Sequence, residues 1–185
     1  LLFSMEAMTE KKVVPQLRFR EYSKDWTNYL LDDIAEFSKG KGISKSDIDE
    51  DGKIECIRYG ELYTKYNEVI SDVVSKTNLD LKGLVLSKKN DVIIPASGES
   101  QLDIATASCV LKDGVALSGD LNIIRTQNDG VFLSFYLNNS RKLAIARLSQ
   151  GISVVHLYSS QLKTLKLHLP TLPEQQKIAT FLSSV

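Results

Sequence analysis

The stretch that decides the fold is LKLHLPTLPEQQKIATFLSSV, residues 165–185. Its first part predicts a strand, because leucine occupies every second position and the residues between are polar. One face of that strand is therefore expected to be buried, while the other meets solvent. The alternating residues are Leu165, Leu167 and Leu169, with Lys166 and His168 between them.

The second part of the same stretch predicts a helix that opens after Pro170. Pro173 suits the first helical turn, and Glu174 places a negative charge near the positive end of the helix dipole. Further on, four apolar residues fall within one narrow stripe, which indicates a seam for a partner helix or for the domain's own flank. This helix interface consists of Ile178, Phe181, Leu182 and Val185.

Upstream of this stretch, short runs rich in β-branched residues predict several more strands. Residues 131–150 predict helix, with Gly151 as a C-terminal stop, and residues 26–37 carry a short apolar helical face. Strands followed by helices, rather than alternating units, predict an α+β fold: a small, mixed, twisted sheet with flanking helices. The predicted strand runs are IECIRY (54–59), DVIIPA (91–96), IATASCV (104–110) and LNIIRT (121–126).

The composition fits one folded domain of 185 residues. Hydrophobic residues make up 43% and charged residues 25%, which excludes fibrous and wholly disordered chains. No apolar run approaches the roughly 18 residues of a membrane span. The two cysteines, Cys56 and Cys109, lie far apart, and the N-terminus lacks a signal-peptide pattern, so we expect a cytoplasmic location.

Charge is distributed unevenly although the total is zero, with 23 basic and 23 acidic residues. No acidic residue occurs between Asp129 and Glu174, a stretch that holds five cations and both histidines. Such a stretch is either a phosphate-facing surface or a solvated face balanced by acids elsewhere in the fold. A second basic run surrounds Gly40 and Gly42, where glycine lets the backbone approach a phosphate closely.

Catalytic and nucleotide-binding motifs are absent from the sequence. It contains no nucleophile elbow, no HExxH and no phosphate-binding glycine loop, and two histidines make a catalytic triad hard to assemble. Asp47, Asp49, Asp51 and Gly52 match the front half of a calcium-binding loop, but Arg58 stands at the twelfth position, where Glu is needed. We therefore interpret this run as an acidic surface turn and expect no metal site.

Residues 170–185, PTLPEQQKIATFLSSV, resemble the P-x-L-x-E-Q-x-x-I-A-x-x-L segment of the DNA-sequence-specificity (S) subunits of type I restriction–modification systems. Further pieces resemble that family in the same order along the chain. The sequence departs from the family at Asn90, where glycine is common, and at residues 152–155, where polar residues are common. The further pieces are VPQLRF to GKGIS (14–44), IRYGELY (57–63), LSKKNDVIIPASGES (86–100), GVALSGDLNIIRT (114–126) and RLSQGISVVHLYSSQLKTLKLHLP (147–170).

The resemblance implies a target recognition domain over residues 14–170 and the start of a long helix at 171–185, with residues 1–13 a tail or not native to the protein. It implies a non-catalytic reader of one half of a bipartite double-stranded DNA target. The implied partners are the modification (methylase) subunits, the restriction subunit, and either a second recognition domain or a second copy paired through the C-terminal helix. S-adenosylmethionine, ATP and Mg²⁺ would belong to the partner subunits.

Reading DNA requires cations that hold phosphates and side chains whose donors and acceptors match base edges. The candidates also have structural alternatives: Arg58 could pair with Glu55 or Glu61, and the loop residues could cap turns. The phosphate candidates are Lys39, Lys41, Lys45, Arg141, Lys142 and Arg147. The base-reading candidates are Arg58, Tyr59, Ser97, Ser100, Gln101, Gln150, Ser153 and His156.

Other functions stay open at the level of sequence. The chain could be the recognition module of a fused type II restriction–methylase, which uses a similar domain. It could also belong to another class, as a calcium-binding or protein-interaction module or as a hydrolase without a recognisable motif.

Overall fold

The computed structural model describes residue 15, residues 17–151 and residues 153–185. The predicted tail at residues 1–13 and Ile152 lie outside the described residues. The strands are β1 (Thr27–Leu30), β2 (Ala35–Lys39), β3 (Ile54–Ile57), β4 (Val69–Ile70), β5 (Ser75–Thr77), β6 (Val85–Leu86), β7 (Asp91–Pro95), β8 (Ser97–Gly98), β9 (Ser108–Val110), β10 (Ala116–Leu117), β11 (Leu121–Thr126), β12 (Val155–His156) and β13 (Lys166–Leu169). The helices are α1 (Leu31–Ile34), α2 (Gln101–Ile104), α3 (Gly130–Tyr136), α4 (Lys142–Leu148), α5 (Ser159–Leu162) and α6 (Leu172–Leu182).

The strands of the described residues form two larger sheets and two ribbons. The larger sheet has the order β2-β11-β7-β9-β4, and the smaller one has the order β5-β3-β10-β6. Both are mixed, because β4 runs parallel to β9 and β10 runs parallel to β3. The ribbons pair β1 with β13 and β12 with β8. The predicted α+β class with a mixed sheet is thus confirmed.

The five-stranded sheet lies between two apolar cores. Along β7, Val92 and Ile94 join a core formed with the helices, whereas Ile93 joins a core formed with the smaller sheet. In the same way, Ile124 of β11 joins the helical core and Ile123 joins the other. Burial on both faces explains why β7 is an unbroken apolar run rather than an alternating one.

The helical prediction for residues 131–150 is confirmed, with one interruption. Between α3 and α4 the chain forms a π-type turn at Leu137–Arg141. Within this turn the Asn138 side chain bonds the backbone of Ala107 at both its N–H (2.7 Å) and its carbonyl (2.9 Å). The wider turn therefore lets one side chain tie the helices to the segment that leads into β9.

Two elements are shorter in the structure than the sequence predicts. Residues 26–37 form only a single helical turn between β1 and β2, because β1 pairs with β13. Of the predicted apolar face, Leu30, Leu31 and Ile34, Leu31 is fully buried, Ile34 is partly buried and Leu30 is exposed. In the run 104–110 the strand covers only Ser108–Val110. Its first residue instead ends α2, which Ser100 caps by accepting a hydrogen bond from the Asp103 N–H.

The C-terminal stretch folds as predicted, and its Glu174 is buried. The side chain of Glu174 is 1% exposed, and both of its oxygens accept hydrogen bonds from Arg18, at 2.6 Å and 2.7 Å. The Trp26 indole N–H lies 3.4 Å from the same carboxylate. A buried bidentate pair of this kind fastens the first turn of α6 to the N-terminal segment.

The next residue, Gln175, is also 1% exposed and fastens α6 to a second segment. Its amide nitrogen donates to Asn128 Oδ1 and to the Pro170 carbonyl, each at 2.9 Å. Its amide oxygen accepts from the Asp129 N–H at 3.0 Å. Asp129 in turn caps α3, so Gln175 joins the starts of α3 and α6.

Glu174→Gln should lower the free energy of unfolding by about 3 kcal/mol, because Arg18 keeps its place while its buried counter-charge is lost. Urea denaturation followed by circular dichroism measures the change. Glu21→Gln is the matched control, since Glu21 pairs with Lys177 of the same helix where both side chains are exposed. Equal shifts for the two variants would contradict a special role for the buried pair.

Candidate nucleic-acid interface

Exposed basic and polar loops meet at one end of the five-stranded sheet. At this end β2 and β7 finish and β11 begins, so that Lys39 lies opposite Asn122 and Pro95 lies opposite Leu121. The β12–β8 ribbon continues directly from the end of β7. Segments that are distant in sequence therefore converge here.

The first of these segments is the Gly–Lys turn, residues 39–45. Three backbone hydrogen bonds of 2.9 Å hold it: Gly40 N–H to the Leu121 carbonyl, Lys41 N–H to the Leu117 carbonyl, and Gly119 N–H to the Gly42 carbonyl. The close approach requires glycine, because a Cβ at residue 40 would lie 2.0 Å from the Ser118 carbonyl oxygen. The backbone is thus fixed while the lysine side chains stay exposed.

The three lysines of this turn are all exposed, namely Lys39, Lys41 and Lys45. Lys39 Nζ lies 3.8 Å from an Asp120 carboxylate oxygen, and both side chains are at least half exposed. This weak, solvated pair leaves the turn with a net positive charge. Positive charge on a fixed backbone suits a phosphate contact.

The second segment is the reading loop, residues 150–158. Gln150 and His156 close it by exchanging two backbone hydrogen bonds, of 2.8 Å and 2.7 Å. Gly151 has a φ of +126°, and a Cβ there would meet the Val154 carbonyl oxygen at 2.0 Å. The side chains of Gln150, Ser153 and His156, all three predicted base readers, are exposed on this loop.

The third segment is the turn from β8 into α2. Ser97 lies opposite His156 in the ribbon and is only 8% exposed. Ser100 caps α2 and donates to Asp103 Oδ2 at 2.6 Å, so its hydroxyl is engaged within the protein. Gln101 is exposed. Of these three predicted base readers, Gln101 is the one with a side chain open to a partner.

Arg58 and Tyr59 lie on the turn that packs against β8. The Arg58 guanidinium pairs with Glu61 at 3.4 Å, which is one of the two acids that the sequence left as alternatives. Glu61 is 2% exposed and also accepts hydrogen bonds from Ser75 and from the Arg58 N–H. Tyr59 is half-buried against the core of the smaller sheet. Both side chains thus have structural contacts.

The other three predicted phosphate contacts lie not on the Gly–Lys turn but on α4 and on the π-type turn before it. Arg141 donates from Nε to the Tyr136 hydroxyl at 3.0 Å and stacks over its ring, 5.4 Å from the centroid. That hydroxyl also accepts from the His168 N–H of β13. Lys142 is half-buried at the start of α4, whereas Arg147 is exposed near its end, three residues before the reading loop. The six predicted phosphate contacts therefore do not form one cluster.

The predicted helix interface is partly used within the domain. Ile178 packs on the helical core, and the Phe181 ring meets Phe19 edge to face at a centroid distance of 5.9 Å. Phe181, Leu182 and Val185 are still 55%, 36% and 94% exposed. Phe181 and Leu182 line an apolar groove of about 600 Å³ between α6, α3 and the N-terminal segment. Part of the stripe therefore packs against its own domain, and the rest remains an exposed apolar surface.

Among the described side chains, neither the cysteines nor the acidic residues have surroundings that favour nucleophilic or metal chemistry. Burial raises the pKa of the Cys56 thiol to about 11 and that of Cys109 to about 12, so neither is a thiolate at neutral pH. The residues that resemble a calcium loop serve as turn ligands: Asp47 accepts from the Ser44 N–H and Asp49 from the Asp51 N–H. In the part of the chain that the structure describes, no cluster of three or more His, Cys, Asp or Glu side chains could hold a metal ion.

Sequence reasoning missed two residues at this end of the sheet. Asn122 is buried, and its side chain links the sheet to the reading loop by a hydrogen bond. Nothing in the sequence distinguishes it from any other asparagine in a strand. Tyr158 is exposed next to His156. The alternation of His156 and Tyr158 around an apolar residue is a signal that could have found it.

The fold and these loops belong to a class of DNA specificity domains. Residues 23–185 match the family described as the type I restriction modification DNA specificity domain, and the chain therefore belongs to that family. It is 28% identical over 154 residues to the putative type I restriction enzyme specificity subunit S.HindORF215P of Haemophilus influenzae. That match covers 82% of this chain and 38% of the relative. The family resemblance in the sequence is confirmed.

Solved structures share the fold. The S subunit of a type I restriction–modification system from M. genitalium has a TM-score of 0.66 at 20% identity, over 92% of this chain and 41% of that one. The HsdS subunit from Thermoanaerobacter tengcongensis has a TM-score of 0.60 at 12% identity, over 93% and 39%. A chain from work on complex assembly and conformational transition of the type I R-M system has a TM-score of 0.62 at 14% identity, over 86% and 37%. The chain spans about two fifths of the length of these relatives.

Gly40→Ala should lower the free energy of unfolding by about 2 kcal/mol, because the added methyl group would collide with the Ser118 carbonyl oxygen in a turn that three backbone hydrogen bonds hold in place. Urea denaturation provides the measurement. Gly83→Ala is the matched control, since a Cβ at Gly83 meets nothing within 4 Å. If both variants unfold at the same midpoint, the close approach at Gly40 is not a constraint.

Proposed function

We propose that this chain binds duplex DNA at the end of the five-stranded sheet and reads one half of a bipartite target for a type I restriction–modification system. The observation that carries the proposal is the convergence of the Gly–Lys turn and the reading loop in a member of a DNA specificity family. The exposed lysines supply phosphate contacts. The exposed side chains of the reading loop supply base contacts.

Within this site, exposure divides the predicted residues into two groups. Gln101, Gln150, Ser153 and His156 present exposed side chains and are the base readers that we favour. The other four candidates are buried or make contacts within the protein, so we assign them to holding the loops in position. They are Ser97, Ser100, Arg58 and Tyr59. For the phosphates we favour Lys39, Lys41 and Lys45 of the Gly–Lys turn, and also Arg147, which is exposed three residues before the reading loop.

Zero net charge fits a half-reader that binds weakly by itself. Few phosphate contacts give a low affinity that salt reduces further. Linking two halves would turn the second contact into an intramolecular one and raise the affinity by avidity. We therefore infer that tight binding needs a second recognition domain, or a second copy of this chain paired through Phe181, Leu182 and Val185.

The remaining partners follow from the same proposal. Methylase and restriction subunits would carry the chemistry in the cytoplasm, and S-adenosylmethionine, ATP and Mg²⁺ would bind to them. This chain would contribute recognition only. Within the described residues, no helix has the length and apolar character needed to cross a membrane.

The decisive experiment compares the methylated-base pattern of the source strain with and without this gene. Loss of one bipartite modified motif, with all other motifs unchanged, is the expected result. An unchanged set of motifs would refute the proposed function. Complementation with the intact gene is the control, because it should restore the missing motif.

Lys41→Gln and Lys45→Gln should each weaken duplex binding and reduce the magnitude of the slope of log K against log salt by about 1. Fluorescence anisotropy with a labelled duplex, across roughly 50–200 mM salt, measures the slope. Lys89→Gln is the control, because Lys89 is exposed just before β7 begins, at the opposite end of the sheet. A slope lowered equally by all three variants would mean that the Gly–Lys turn is not the contact.

A further inference from the structure

Two aromatic rings stand on the exposed side of the reading loop. His156 and Tyr158 are two positions apart in an extended segment, so their side chains share one face. Their ring centroids lie 6.2 Å apart with an interplanar angle of 19°, an offset stack. Tyr158 is nevertheless 53% exposed, which leaves much of its ring open to a partner.

Burial and hydrogen bonds fix the backbone of the segment that carries these two rings. Leu157, between the two rings, is fully buried; its N–H donates to the Ala96 carbonyl at 3.0 Å. The Tyr158 N–H donates to Gln161 Oε1 at 2.8 Å, and the Tyr158 carbonyl accepts from the N–H groups of Gln161 and Leu162 in α5. An exposed ring on a fixed backbone loses little conformational freedom when it makes a contact.

Asn122 of β11 connects this backbone to the sheet. It is 1% exposed and donates from Nδ2 to the Leu157 carbonyl at 2.9 Å, while its Oδ1 accepts from the Ser159 hydroxyl at 2.9 Å. Asn122 also lies opposite Lys39 in the sheet register. The aromatic pair and the Gly–Lys turn are thus both attached to β11.

We propose that Tyr158 is a specificity-determining residue that contacts the methyl group of a thymine in the major groove. The inference rests on the proposed function and deepens it. The ring supplies an apolar surface of the kind that favours a thymine methyl group, and His156 holds the ring's orientation by stacking. The lysines of the Gly–Lys turn hold the neighbouring phosphates.

A selection from randomised duplexes with the intact chain tests this proposal. The wild-type chain should enrich a motif with T·A at one position, and Tyr158→Ala should lose preference at that position alone, by roughly 10-fold. Tyr158→Phe should keep the preference, because the ring makes the contact. Tyr29→Ala is the matched control, an exposed tyrosine on the separate β1–β13 ribbon that should leave the motif unchanged.

Replacing that thymine with uracil in a single duplex isolates the methyl group. Binding by the wild-type chain should fall by the same factor as for Tyr158→Ala, and the variant should not distinguish the two duplexes. A motif that is identical for wild type and Tyr158→Ala, or one lost equally in Tyr158→Phe, overturns the role of Tyr158 and leaves the proposed function standing. Failure of the wild-type chain to enrich any motif even at low salt, where phosphate contacts are strongest, overturns both.

Discussion

The frame of this domain depends on two adjacent buried side chains at the start of its last helix. Glu174 binds Arg18 of the N-terminal segment, and Gln175 binds the turn that caps α3. Both are 1% exposed, so any movement of α6 would leave a carboxylate or an amide without partners in an apolar interior. The orientation of α6 against the domain is therefore fixed. The apolar stripe that it carries therefore has a fixed position relative to the loops at the end of the five-stranded sheet.

The five-stranded sheet transmits this rigidity to the loops. β7 and β11 direct side chains into apolar cores on both faces, which leaves them little freedom to shift. Loops at the end of such strands are well placed for recognition, because their backbones are fixed while their side chains reach solvent. The Gly–Lys turn and the reading loop both follow this arrangement. Their backbone groups bond to the sheet, and their lysines, Gln150 and their aromatic rings stay exposed.

This arrangement separates residues that hold the site from residues that could read DNA. Ser100 caps a helix and Arg58 pairs with a buried glutamate, so replacing either would disturb structure as well as any contact. Gln150, Ser153 and Tyr158 are exposed, and replacing them would cost little stability. Under the proposed function, substitutions at a few exposed loop positions would change the target. The core and the helix base of the domain would stay the same.

The sequence by itself determined the α+β class, the strand and helix of the last twenty residues, and the family. Each depends on local order: alternation in 165–169, a proline at the helix start, and motifs read in sequence. Only the tertiary structure decided which polar residues are engaged. Glu174 looks like an ordinary helix-start acid, and Ser100 looks like a loop residue, until Arg18 and Asp103 are seen beside them. Lys41 and Arg141 are equivalent cations in the sequence, yet one lies on the exposed turn and the other stacks on Tyr136. The physical reason is that periodicity records which face a residue occupies, whereas burial and hydrogen bonding depend on segments that are distant along the chain.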